Sequence, residues 1–293
     1  MPDHSAAYLG ASGRIGGYLR AAERQLPEDA QRFLWQYRVL EKCDEGAFLW
    51  PDFRDATPLR AAQIHHGFDH ILIFSGANGA KDDPDAMQAH VTSVDHAITA
   101  ALRAGIRRLL VASSSAVYGA GRGEPFCEDV SPAPINAYGR AKAAMEDLCS
   151  RRAATEGIEI CALRIGNVAG ADMLLGNAMR RSSGPLTLDI FPDGRGPERS
   201  YIGPLTLLSV LRSLIATEAR LPPVLNLAGG KPVQMSDLLD AAGVPWTAQP
   251  RSDTAHQRIT LDVTRLARLC PEIDLDGTAQ EIVAEWAAVR AAA

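Results

Sequence analysis

Short apolar runs alternate with longer stretches of helical composition along the first half of the chain. Residues 6–9, 33–38, 46–50, 70–74, 108–112 and 158–165 read as six strands. Residues 17–24 and 87–104 read as helices, the second ended by Gly105. A further helical stretch carries Tyr138 and Lys142 and joins the fifth strand to the sixth. Strands that alternate with helices imply a parallel sheet with right-handed crossovers. Beyond about Ala169 the alternation weakens, and Pro and Gly enter at 183–185 and 192–197. The pattern predicts an α/β fold: a doubly wound parallel sheet of the Rossmann type over residues 1–168. A small C-terminal lobe over 169–293 is expected to cover the strand ends and take substrate. Segments near 200–230, Asn226 and Leu227 among them, are expected to return to the main domain. No internal repeat or low-complexity tract interrupts this plan.

Gly10, Ser12, Gly13, Arg14, Ile15 and Gly16 fall between the first strand and the helix after it. Strand, glycine turn and helix is the context in which three spaced glycines bind a dinucleotide. The first allows the tight turn, the second lets backbone approach a pyrophosphate, and the third lets helix and strand pack closely. The free N–H groups and the dipole at the helix start then face the phosphates.

Tyr138 and Lys142 stand four residues apart, so on a helix they share a face. An ammonium near a phenol favours the phenolate, and a Tyr tuned that way can exchange a proton with a substrate hydroxyl. The strand 108–112 runs into hydroxyls, and Ser114 can present its own toward whatever Tyr138 works on, since strand C-termini of an open parallel sheet face the ligand crevice.

These pieces together resemble the extended short-chain dehydrogenase/reductase family, the NAD-dependent epimerases and dehydratases of the nucleotide-sugar type. The matching segments are GASGRIG, SSSAVYG and YGRAK, then LRIGNVAG, DGRGPERSYI and NLAGG, in the family's order over nearly the whole chain. The resemblance implies a Ser114, Tyr138 and Lys142 catalytic set, with Tyr138 and Lys142 also touching the cofactor. It implies a small-residue turn at Ser75, Gly76 and Ala77 under the nicotinamide ribose. Asp52 and Phe53 would flank the adenine, and Asn167 and Arg199 would contact a sugar nucleotide.

The end of the second strand bears on the cofactor. An acidic residue there accepts from the adenosine ribose, and a nearby Arg favours a 2′-phosphate instead. The strand ends Trp35, Gln36, Tyr37, Arg38 with no acid, which favours NADP over NAD, with Arg38 as phosphate partner. Glu41 or Asp44 stays open as a ribose ligand should the strand end elsewhere. Two departures from the family pattern narrow the reaction. Ser115 and Ala116 stand where dehydratases carry an Asp-Glu pair, which argues against elimination of water. The segment after Arg199 continues Ile202, Gly203, Pro204, Leu205, Thr206 and lacks the family's His and paired acids.

The function these features predict is an NAD(P)-dependent epimerase or oxidoreductase acting on a nucleotide-sugar-like substrate. A non-catalytic redox sensor or partner-binding protein of the same fold is the alternative, and the Ser/Tyr/Lys set argues against it. Composition agrees with this class: 293 residues, 46% hydrophobic, can bury a sizeable core, and a net charge of −5 offers nothing to nucleic acid or an anionic membrane. Five scattered cysteines form no C-x-x-C pair, so reduced thiols rather than disulfides or a metal site are expected. The first strand starts within a few residues of Met1, which leaves no room for a signal peptide, and a cytoplasmic location follows as an expectation. A homodimer through the helix after Tyr138 is a further expectation from the family.

Overall fold

Ala6 and Tyr8 face one side of a sheet and Ala7 and Leu9 the other, and all four are fully buried. A strand apolar on both sides belongs in a sheet covered on both faces, and that is the architecture of the computed structural model. It describes residues 4–27, 30–76, 84–121, 123–179 and 184–292. In chain order the first elements are β1 (His4–Leu9), α1 (Arg14–Glu23), β2 (Arg32–Tyr37), β3 (Ala47–Leu49), α2 (Thr57–His66) and β4 (His70–Ile73). There follow α3 (Pro84–Arg103), β5 (Arg108–Ser114), α4 (Ala137–Glu156), β6 (Glu159–Ile165), β7 (Asn167–Val168), α5 (Leu175–Ala178) and β8 (Leu186–Ile190). The remainder is β9 (Glu198–Ile202), α6 (Pro204–Ala216), β10 (Val224–Leu227), β11 (Pro232–Gln234), α7 (Met235–Ala241), β12 (Trp246–Pro250), β13 (Arg258–Ile259), α8 (Thr264–Leu269) and α9 (Ala279–Ala291).

The central sheet has seven parallel strands in the order β10-β6-β5-β4-β1-β2-β3. On one face Leu19 of α1 and Leu207, Leu211 and Leu214 of α6 close over Tyr8, Phe33, Leu110 and Leu163. On the other, Leu59 of α2, Val94 and Ile98 of α3 and Met145 of α4 cover Leu34, Ile71, Leu109 and Ile160. Each such fully buried aliphatic contributes about 1.5–3 kcal/mol of transfer free energy. The doubly wound Rossmann expectation is therefore met. The chain reverses its direction of winding between β1 and β4, so their C-terminal ends open a crevice.

The edges of the elements differ from the sequence reading in instructive ways. β5 runs on to Ser114 because Ser113 and Ser114 pair with Arg164 and Ile165 of β6, so neighbouring backbone extends a strand past its apolar residues. β2 ends at Tyr37, one residue before Arg38. In the second half β7, β9, β11 and β13 form one small sheet, and β8 pairs with β12. A third apolar cluster of Leu175, Leu188, Val233, Leu239 and Trp286 packs under them. α6 lies against α1 and β1, and β10 pairs with β6, so both sit in the main layer. Glu285 of α9 binds the start of α6: it accepts from the Leu205 and Thr206 N–H groups, each at 2.9 Å, and from the Thr206 hydroxyl at 2.5 Å.

Candidate active site and dinucleotide crevice

The glycine turn is built by contacts that exclude side chains. Gly10 has φ +102, and a Cβ there would come within 2.7–2.9 Å of the Phe74 and Ser75 backbone. A Cβ on Gly16 would lie 2.5 Å from the Gly10 carbonyl oxygen and 2.9 Å from Ala11. Gly13 differs, because its Cβ would meet only the Gly10 oxygen at 3.1 Å. Gly10 N–H donates to the Gln36 amide oxygen at 3.1 Å, and the Gln36 amide nitrogen donates to the Trp50 carbonyl at 2.7 Å. No side chain caps α1 at Gly13, so its first N–H groups stay open to a ligand. The crevice of about 500 Å³ is lined by Gly10, Ser12, Gly13, Arg14, Ile15, Gly16, Gln36, Arg38, Phe74, Ser75, Gly76, Tyr138 and Ala171. That volume and the bare-backbone cradle fit a dinucleotide.

Tyr138 lines this crevice, and Ser114 and Lys142 lie against it from behind. Asn136 caps α4 by accepting from Gly139 N–H at 2.8 Å. Gly139 lets the helix close onto the end of β5, since a Cβ would lie 2.4 Å from the Ala116 carbonyl oxygen. Ser114 accepts from Ala116 N–H at 3.2 Å, and its hydroxyl lies near enough to the Tyr138 phenol to favour the phenolate. Tyr138 is 37% exposed and lines the crevice. Lys142 is buried, donates to the Ala112 carbonyl at 2.7 Å, and has its Nζ 5.9 Å from the centre of the Tyr138 ring. Burial brings the Lys142 ammonium down to about 8, with Cys149 and Glu146 opposing. The Tyr138 phenol does not show the depression expected from the Lys142 spacing. Desolvation raises it, and the Ser114 hydroxyl beside it is what pulls it back.

One polar side chain absent from the sequence reading belongs here. His90 of α3 is buried, meets the Tyr138 ring edge-on at 5.7 Å, and has an Nδ1 without a hydrogen-bond partner. Desolvation first, and then the Lys142 charge, bring its imidazole down to about 4. The buried Ser75 hydroxyl is also unpartnered and lies on the crevice. No motif or spacing in the chain marks His90, because it comes to Tyr138 only through the packing of α3 on α4.

The other predicted residues scatter. Arg38 lines the crevice with its guanidinium 5.6 Å from the centre of the Phe53 ring. Phe53 is a core residue, tilted on Trp50 at 4.5 Å. Asp52 is not among the lining residues; its carboxylate is held by Arg54, whose hydrogen bonds lower it to about 2. Asp44 pairs with Arg20, and Glu41 lies in a one-turn helix after β2. Ala77 lies outside the described residues. Asn167 sits in β7 beside Tyr201. Arg199 is largely desolvated and donates to the carbonyls of Glu198, Gln257 and His256 at 2.8, 2.9 and 2.8 Å, which pins the loop before β13. Among the described residues no group of three or more His, Cys, Asp or Glu could hold a metal ion. No described helix is long and apolar enough to cross a membrane.

A seven-stranded doubly wound sheet with a bare glycine cradle at its switch point and a Ser, Tyr and Lys at the crevice end defines a class of dinucleotide-crevice proteins. Residues 8–188 match the family model of the NAD dependent epimerase/dehydratase family, and the chain belongs to that family. Among curated relatives, a UDP-glucose 4-epimerase of Azospirillum brasilense is 44% identical over 125 residues, 41% of this chain and 36% of that protein. A UDP-glucose 4-epimerase of Rhizobium meliloti is 28% identical over 186 residues, 59% of this chain and 54% of that protein. The matched stretches thus span between a third and about half of those relatives' length. Among solved structures, a UDP-glucose-4-epimerase from Stenotrophomonas maltophila with bound NAD and formylated UDP-arabinopyranose superposes with a TM-score of 0.79 at 19% identity, covering 98% of both chains. A UDP-glucose 4-epimerase from Brucella ovis in complex with NAD gives 0.79 at 20% identity, covering 96% of both chains. At these identities the structures are relatives in fold.

Proposed function

We propose that the protein is an NAD(P)-dependent epimerase that inverts a hydroxyl-bearing carbon of a nucleotide sugar by hydride transfer. The observation that carries this reading is the shared crevice. The glycine cradle and Tyr138 line the same cavity, with Ser114 beside the phenol and the Lys142 ammonium 5.9 Å from the centre of its ring. The nicotinamide, when bound, would supply the site that accepts and returns the hydride. The cradle from Gly10 to Gly16 and the open start of α1 would hold its pyrophosphate. Ser114 orients the substrate hydroxyl, and Tyr138 takes its proton as the carbon is oxidised and returns it to the same oxygen on reduction, when the hydride would come back to the opposite face of the carbon. Lys142, with its Nζ 5.9 Å from the centre of the Tyr138 ring, is the residue placed to stabilise the phenolate as it forms. At about 8 it is mostly charged at neutral pH. Ser115 and Ala116, in place of an acid pair, leave nothing there to drive elimination of water, which supports epimerase over dehydratase.

The dinucleotide favoured by the strand end is NADP. Gln36 is neutral, and its amide is occupied by Gly10 and Trp50, while Arg14 and Arg38 both line the crevice. On the substrate side, Asn167 is the proposed contact, and Arg199 acts by holding the loop before β13. The experiment is a turnover assay with UDP-glucose and UDP-galactose on wild type and Tyr138→Phe. A fall of roughly 10²–10⁴-fold is expected, the contribution of a positioned acid–base group. Equal turnover in the two proteins would refute the assignment, and full dinucleotide binding with no turnover in wild type would favour a sensor.

A further inference from the structure

A second cavity of 560 Å³ runs along the outer side of α1. It touches the dinucleotide crevice only at Ser12, Gly13 and Arg14, which line both. Four guanidinium groups stand on its wall, those of Arg14, Arg20, Arg24 and Arg290, and no acidic side chain lines it. Arg20 is neutralised by Asp44. Arg14 donates to the Ala171 carbonyl at 3.3 Å, and Arg290 lies over the Trp286 ring at 5.0 Å with one guanidinium nitrogen against the Met179 sulfur. Arg24 makes no ion pair among the described residues. Three cations therefore converge on one groove with no carboxylate partner among the described residues, in a chain whose net charge is −5.

The groove has a built floor. Gly170 (φ +81) carries no side chain where a Cβ would strike Trp286 at 2.1 Å and the Tyr18 hydroxyl at 2.9 Å. Trp286 in turn donates to that hydroxyl at 3.1 Å. Its wall along α1 is left open by Gly17, whose Cβ would have no atom within 4 Å. We propose that this groove is a binding site for a small phosphorylated ligand, distinct from the dinucleotide crevice. Guanidinium forks match phosphate oxygens in geometry and charge, and like charges held together are relieved by an anion. The cavity volume lies in the range of small-ligand sites. Because Arg14 faces both cavities, an anion in the groove also alters the field at the start of α1.

The test is isothermal calorimetry with inorganic pyrophosphate on the whole protein, with and without saturating NAD. Gly17→Glu directs a carboxylate into the open groove from a position whose Cβ meets no atom within 4 Å, and Gly17→Ala is its control. Pyrophosphate affinity should fall at least tenfold in Gly17→Glu and in the Arg24→Gln/Arg290→Gln double variant, and stay unchanged in Gly17→Ala. Melting temperatures of all variants check that the fold is kept. No pyrophosphate binding to wild type, equal binding in Gly17→Glu, or displacement of pyrophosphate by NAD would each overturn the proposal. A protein that binds pyrophosphate in this pattern but does not bind NAD would count against the proposed function and leave the groove standing.

Discussion

Acidification should cost this protein stability through His90 in particular. The imidazole is 7% exposed, edge-on to Tyr138 and in the field of the Lys142 ammonium, and these surroundings bring it from 6.5 down to about 4. The native protein therefore binds this proton more weakly than the unfolded chain does. As pH falls through 6.5 the unfolded chain takes up the proton first, and the stability tied to neutral His90 is lost progressively down to about 4. Linkage between those two values gives a loss of about 2 kcal/mol at pH 5 and about 3 kcal/mol at pH 4. His90→Phe keeps a ring against Tyr138 and cannot titrate. Urea unfolding of both proteins between pH 7.5 and 5 isolates the effect, because Glu23 and Asp172, whose carboxyls burial raises and whose contributions run the other way, are common to both. The stability difference between wild type and His90→Phe should shift by about 2 kcal/mol in favour of the variant over that window. Two curves that stay parallel would show that His90 binds its proton equally well in the native and unfolded protein, and the burial and Lys142 argument would fail.

Gly13→Val should leave the fold intact, because its Cβ meets only the Gly10 oxygen at 3.1 Å, yet dinucleotide binding measured by calorimetry should be lost as the side chain enters the cradle. Wild type should bind NADP more tightly than NAD by about tenfold to a hundredfold, the range for a hydrogen bond to a charged group. Arg38→Ala should erase that preference with little change for NAD, and paired titrations at low and high salt decide it. Glu285→Ala removes the acceptor of two N–H groups and one hydroxyl at the start of α6, and should destabilise by about 1–3 kcal/mol in thermal or urea unfolding. An unchanged midpoint would mean that water replaces the carboxylate fully.

Local rules carried much of the fold in the sequence itself. The strands β1, β2, β4, β5 and β6 show as apolar runs, and the Gly10, Gly13 and Gly16 spacing marks the turn, because backbone approach tolerates no Cβ there. Tyr138 and Lys142 sit on one helix, so a spacing of four was enough to place them together. Ser114 needed only the rule that strand ends face the crevice. The two small sheets built from β7, β8, β9, β11, β12 and β13 were not legible, since their strands are two to five residues long and are held by partners distant in the chain. α6 was also missed, because its start is capped by Glu285 of α9, far along the sequence. Asp52 reads like a ligand residue in the sequence, but Arg54 two residues on holds its carboxylate. His90, the direction in which the Tyr138 phenol is shifted and the arginine groove beside α1 depend on which side chains meet and how much water they lose. Sequence periodicity encodes which face of an element is apolar; burial and long-range electrostatics exist only once those faces have packed.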